Sequence, residues 1–96
     1  MKQIDCYHVL LVDDEYYLRQ AIRRLFDTSV EDFRIVCEAS DGAEALNALK
    51  QHDIHVVITD IRMPVMDGLT LAQNLRDSYP DILTVILTGW VTALTL

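Results

Sequence analysis

Four apolar runs of strand length alternate with three stretches of helical period, and this alternation limits what the chain can fold into more than any other feature. Tyr7 to Val12 is a near-continuous apolar run that stops at Asp13-Asp14. Glu15 to Phe26 then puts Leu18, Ala21, Ile22, Leu25 and Phe26 on one helical face. Phe33, Ile35, Cys37 and Ala39 alternate, which reads as a second strand. Asp41-Gly42-Ala43-Glu44 fits a capping box, with Ala45, Leu46 and Leu49 continuing the helix behind it. His55 to Asp60 reads as a third strand. Asp67-Gly68 opens a third helix through Leu71 and Leu75 that Tyr79-Pro80 closes, and Ile82 to Thr88 is a fourth strand. The order βαβαβαβ predicts an α/β fold, a parallel sheet with helices on both faces. Right-handed crossovers place every strand's carboxyl end on one edge. Beyond Thr88-Gly89-Trp90, the tail Val91 to Leu96 is apolar, uncharged and too short to hold a helix of its own.

Composition narrows the function classes. Ninety-six residues predict one small domain, and 51% hydrophobic with 24% charged residues excludes disorder along the chain. No apolar run approaches the roughly 18 residues of a membrane span, and no signal layout opens the chain, so a cytoplasmic protein without a membrane partner is expected. A net charge of −7 argues against direct nucleic-acid binding, which needs a basic stripe. Cys6 and Cys37 are too few for a zinc framework and read as reduced, mostly buried thiols.

In an open α/β sheet, ligands bind beyond the carboxyl ends of the strands. There Asp13 and Asp14 end the first strand, Asp60 the third and Thr88 the fourth. If the second strand lies outside the first, the first and third are neighbours and three carboxylates share one cleft. Like charges so close need compensation, which a hard divalent cation supplies. Mg2+ suits the site, because it takes oxygen ligands through one or two carboxylates and keeps several waters. Plainer roles compete. Asp13-Asp14 also suits a helix cap and an acidic first turn, and Thr88 suits simple strand termination. Asp60 is harder to explain that way, since Ile61-Arg62-Met63-Pro64 follows it rather than a helix.

Taken together, these segments resemble the receiver domain of two-component response regulators. Val9-Leu10-Leu11-Val12-Asp13-Asp14-Glu15 resembles that family's first strand and acidic pair, and Ile86-Leu87-Thr88-Gly89 the strand bearing its switch hydroxyl. Thr59-Asp60-Ile61-Arg62-Met63-Pro64-Val65-Met66-Asp67-Gly68 resembles its phosphoacceptor segment almost letter for letter. The resemblance covers residues 7 to 90. It implies a flavodoxin-like, doubly wound parallel sheet in the order 2-1-3-4. Asp60 would accept a phosphoryl group from a histidine kinase, and Thr88 would contact that group. Asp14 would bind Mg2+ directly, Asp13 mainly through water, and Arg62 through its backbone carbonyl. The Leu-Thr-Gly-Trp ending leans towards regulators with an AraC-type output domain.

The departures are as specific. The family's fifth strand carries a lysine, but Lys2 and Lys50 are the only lysines here, both expected at the edge opposite Asp60. Residues 1–96 therefore read as a single receiver domain truncated before its fifth strand and last two helices, with phosphorylation impaired. The fourth strand would then be an open edge, predicting a homodimer or oligomer through that strand and the tail, and loss of the last helix would uncover apolar surface over strands one and three. The alternative is a metal-binding, non-switching homodimeric interaction fragment. An enzyme is not expected: a haloacid-dehalogenase-type phosphatase would need Asp-x-Asp after the first strand and a later lysine. His8 and His55 read as solvated edge histidines, Arg19 and Arg23 as solvated partners of nearby acids. Of Tyr16 and Tyr17, one is expected to pack and one to flank the cleft.

Overall fold

The computed structural model describes residues 6–88 and 91–95. Lys2, the Gly89-Trp90 pair of the Leu-Thr-Gly-Trp ending and Leu96 lie outside them. The elements are β1 (Tyr7–Val12), α1 (Tyr16–Ser29), β2 (Phe33–Ala39), α2 (Gly42–Gln51), β3 (Val56–Asp60), α3 (Gly68–Ser78), β4 (Leu83–Thr88) and β5 (Val91–Thr95). The sheet order is β2-β1-β3-β4-β5, with the first four strands parallel, as the pattern predicts.

The expectation that the sheet ends at an open fourth strand is corrected. β5 pairs antiparallel with β4, Thr84 opposite Thr95 through Thr88 opposite Val91. Only two residues separate Thr88 from Val91, the spacing of a hairpin, whereas a parallel return needs a dozen or more. Among the described residues the outer edge on this side is therefore β5, and the β4 edge expected to be open is covered within the chain.

β2 forms where the alternation places a strand, and its register against β1 sets its faces. Tyr7 stands beside Phe33 and Val9 beside Ile35, but Leu10 stands beside Cys37 and Leu11 beside Glu38. This register shift between Val9 and Leu10 inserts one extra residue, and a bulge of one residue exchanges the two faces of all that follows. Ile35 accordingly packs with Val9, Leu11, Val56 and Ile58, whereas Cys37 and Ala39 pack with Leu10, Val12 and Val57. Glu38 is carried onto the α1 side.

The helices seal the faces unequally. α2 and α3 cover Leu10, Val12 and Val57 with Ala45, Leu49, Leu71 and Leu75, all buried. α1 covers the other face through Ile22 and Phe26, and no residue of α1 is itself buried. Leu18 and Leu25 of its expected apolar stripe are exposed. The open surface expected over the first and third strands lies elsewhere: Val9, Leu11, Val56 and Ile58 are buried, and Leu83 of β4 is 41% exposed.

Candidate functional site

Aspartates stand near the start of every helix, but they are used differently. Asp41 accepts the Glu44 N–H at 2.8 Å to cap α2, and Asp67 accepts the Thr70 N–H at 2.8 Å to cap α3. Glu44 completes its box on Ser40, bonding that residue's N–H at 3.1 Å and hydroxyl at 2.7 Å. α1 has Glu15 as its N-cap residue, with no side-chain cap bond. The capping role for Asp13-Asp14 is thus set aside, and both carboxylates stay beyond the strand ends.

The sheet order brings Asp13, Asp14 and Asp60 together. Each offers an oxygen within 4.8 Å of the others. Asp13 is 1% exposed, Asp60 half-buried and Asp14 exposed. Asp13 Oδ1 accepts the Glu15 N–H at 2.8 Å, while its buried Oδ2 has no hydrogen-bond partner among the described residues. Burial pushes the Asp13 carboxyl above its ordinary value; the Glu15 N–H opposes this, and the charges of Asp60, Asp14 and Glu15 add to the rise. A buried carboxylate oxygen with no donor, facing two more acids, suits a hard cation with oxygen ligands. The donor set therefore fits Mg2+.

The segment after Asp60 is held tightly. Ile61 N–H donates to Asp60 Oδ1 at 2.8 Å and fixes the plane of that carboxylate. Gly68 N–H donates to the Ile61 carbonyl at 2.7 Å, and a Cβ on Gly68 would run into the Asp60 carbonyl oxygen. Glycine is needed there for this close approach rather than for a chain reversal. Met66 N–H reaches back to the Pro64 carbonyl at 2.7 Å around Val65, whose φ is 69°. That is a γ-turn of the strained, positive-φ kind on a β-branched residue. Asp14, Ile61, Arg62, Met63 and Asp67 line an open groove of about 440 Å³ beside the cluster. Arg62 is exposed on it. Thr88 ends β4, one position past Leu87, the residue paired with Asp60.

Several roles read from the sequence change. Tyr16 and Tyr17 are both exposed, at 59% and 85%, edge-on to each other rather than one packed. His8 and His55 are half-buried, and the His8 N–H donates to His55 Nδ1 at 2.8 Å, so the pair ties β1 to the start of β3. Both cysteines are free and half-buried. Arg19 is not solvated: its side chain is 14% exposed, bonded to Glu38 and to the Asp13 carbonyl. Its i, i+4 spacing to Arg23 is visible in the sequence; its partner across the sheet is not.

Comparison with known proteins decides the family. The model of the response regulator receiver domain matches residues 9–95. The chain belongs to the receiver-domain family. This receiver is 39% identical over 82 residues to the aerobic respiration control protein ArcA of Escherichia coli strain K12, covering 85% of the chain and 33% of ArcA. It is 42% identical over 71 residues to a protein-glutamate methylesterase/protein-glutamine glutaminase of Methanosarcina acetivorans, covering 74% of the chain and 20% of that protein. The isolated receiver domain of RcsB from Salmonella enterica serovar Typhimurium, solved with the phosphomimetic BeF3−, superposes with a TM-score of 0.80 at 30% identity, covering 86% of the chain and 62% of the RcsB domain. The receiver thus spans a third or less of the length of these two curated relatives. Among its described residues, no helix is long and apolar enough to cross a membrane.

Proposed function

We propose that this receiver takes a phosphoryl group onto Asp60 from the phosphohistidine of a histidine kinase, with Mg2+ held by Asp13, Asp14, Asp60 and the backbone carbonyl of Arg62. The observation that carries the reading is the buried, donorless Oδ2 of Asp13 within a three-carboxylate cluster that includes Asp60. An Asp60 carboxylate oxygen forms the new O–P bond as the donor's N–P bond breaks; the departing imidazole keeps the electron pair and takes a proton from solvent. The Ile61 N–H presents the carboxylate in one orientation throughout. Bound Mg2+ supplies charge neutralisation, the main requirement of phosphoryl transfer. Thr88, at the end of β4, contributes a hydroxyl to the phosphoryl oxygens.

No lysine follows Lys50. Within residues 1–96, the groups that can meet the phosphoryl charge are the cation, Thr88 and backbone N–H groups. This is a cytoplasmic signalling module, residues 1–96 forming one receiver unit, rather than an enzyme acting on a separate substrate. Its net charge of −7 disfavours a nucleic-acid surface. Of the two surfaces expected for self-association, the fourth strand and the tail, the tail forms β5, along whose outer edge a second copy can extend the sheet.

Incubation with a small phosphodonor and Mg2+, followed by intact-mass analysis, tests the reading. A single phosphoryl adduct that Asp60→Asn abolishes is expected; an adduct that survives this substitution overturns the assignment. In a Mg2+ titration, Asp14→Ala weakens binding sharply and Asp53→Ala, at the far end of β3, does not. Equal effects would remove the cation from the cluster.

A further inference from the structure

The register shift in β2 places Glu38 beside Leu11, on the face that α1 covers. There it meets three side chains of α1. Oε1 accepts Arg19 Nε at 2.9 Å and Gln20 Nε2 at 3.1 Å, and Oε2 accepts Arg23 Nη1 at 2.7 Å. The Arg19 guanidinium reaches further, donating from Nη1 to the main-chain oxygen of Asp13. A cation with five N–H donors therefore lies bonded to the residue whose buried Oδ2 has no donor among the described residues. A buried carboxylate oxygen and a neighbouring arginine ordinarily pair. Here they do not: the guanidinium bonds Glu38 through Nε and the Asp13 carbonyl through Nη1.

We infer that Glu38 is a positioning residue that acts through Arg19: it keeps the guanidinium off the acidic cluster, so that Asp13, Asp14 and Asp60 stay open to a divalent cation. Without the Glu38 charge, Asp13 Oδ2 is a buried acceptor without a partner among the described residues, on the same residue whose carbonyl Arg19 already bonds. The arginine would occupy it as an internal counter-ion and compete with Mg2+. Gln20 and Arg23 lose their shared acceptor as well, but neither is bonded to the strand end. The inference rests on the cation reading above and adds a means by which the chain keeps that site open.

Mg2+ titration by calorimetry, on the whole chain, tests it. Glu38→Gln is expected to weaken Mg2+ binding about five- to tenfold, the effect of one positive charge moved close to the site. Adding Arg19→Gln to that variant removes the competitor and restores affinity to within about twofold of the parent. A merely structural ion pair predicts the opposite, since the double variant has lost both partners and would bind no better than the single. Arg19→Lys gives a second route if Glu38→Gln does not fold. Its ammonium keeps the charge but lacks the fork that spans Glu38 and the Asp13 carbonyl, so it binds Mg2+ more weakly than Arg19→Gln. Unchanged affinity in Glu38→Gln, or a double variant as weak as the single, overturns the inference while Asp14-dependent binding by the parent still stands. A parent that shows no Asp14-dependent binding overturns the cation reading itself, and this inference with it.

Discussion

The two faces of the sheet are attached to their helices by different physics. Over Leu10, Val12 and Val57, α2 and α3 contribute Ala45, Leu49, Leu71 and Leu75, and that face is held by apolar burial. Over Val9, Leu11, Val56 and Ile58, α1 contributes half-buried Ile22 and Phe26, none of its residues is buried, and its polar grip is Glu38 with Arg19, Gln20 and Arg23. Both faces bury apolar side chains, but only the α1 face adds a charge network that runs to the strand ends where the acids sit. Apolar attachment does not titrate; the polar part of α1's attachment does.

Truncation on each face gives the largest contrast. Leu71→Ala, in the sealed core, should cost about 3–4 kcal/mol in a urea unfolding series, while Phe26→Ala on α1 should cost only about 1–2 kcal/mol, because a half-exposed ring gives up less burial. Equal costs would mean that α1 is held as firmly as α3 and would break the comparison.

Gly68→Ala examines the upper end of the sealed face, where α3 abuts the backbone of Asp60 and Ile61. The added methyl has no free space and meets main chain rather than a movable side chain, so a loss of about 1–3 kcal/mol is expected by urea unfolding. Weaker Mg2+ binding should accompany it, since the Asp60 segment must shift. Full stability with unchanged binding would show that this end of the sheet is looser than the packing implies.

The charge network sharpens the contrast through pH. Burial pushes the Glu38 carboxyl up, but the hydrogen bonds from Arg19, Arg23 and Gln20 outweigh it and hold the group below its ordinary value of 4.5. A lowered folded value means that the native state binds the proton less readily than the unfolded chain. The resulting stabilisation is complete above the unfolded value and is lost as pH falls below 4.5 through the folded one. Glu38→Gln should cost about 1 kcal/mol at neutral pH and progressively less on acidification, seen as a shallower acid limb in stability against pH. Parallel curves for parent and variant would remove Glu38 as a source of the acid sensitivity.

The smallest effect is expected at Val65, in the loop that ties α3's approach to α2 through the Gly42 N–H and the Met66 carbonyl. Asn tolerates the positive φ that a β-branched residue resists, so Val65→Asn should stabilise by about 0.5–1 kcal/mol in urea unfolding. A loss instead would mean that the exposed valine is supported by contacts beyond its backbone turn.

The strand and helix order, the Asp41 and Asp67 caps and the Asp60 segment were legible because each is local. A 2.0 or 3.6 period, or an aspartate three residues before the N–H it accepts, is written within one turn or one strand. The cluster of Asp13, Asp14 and Asp60 followed from placing strand ends on one edge. What escaped was non-local or double-valued. Gly89-Trp90 has the two-residue length of a hairpin loop between β-rich runs, whereas the family resemblance implied a sheet without a fifth strand. Arg19 and Arg23 advertised a helix face without saying what it met, and His8 and His55 gave no hint that one would accept the other's backbone N–H.

The sequence by itself determined which segments are strands, which are helices and which carboxylates stand at the strand ends, because periodicity and side-chain chemistry act within a few residues. Only the tertiary structure decided which face each residue of β2 occupies. The alternation of Phe33, Ile35, Cys37 and Ala39 puts all four on one side, and the shift opposite Val9 and Leu10 moves the last two to the other. That shift depends on how β2 lies against β1, a contact between residues more than twenty apart, and it puts Glu38 beneath α1 within reach of Arg19. The side-chain period of a strand is two, so one extra residue exchanges faces and leaves almost no mark on composition. The same holds at β5, where pairing with β4 rather than any local preference of Val91 to Thr95 sets the edge of the sheet.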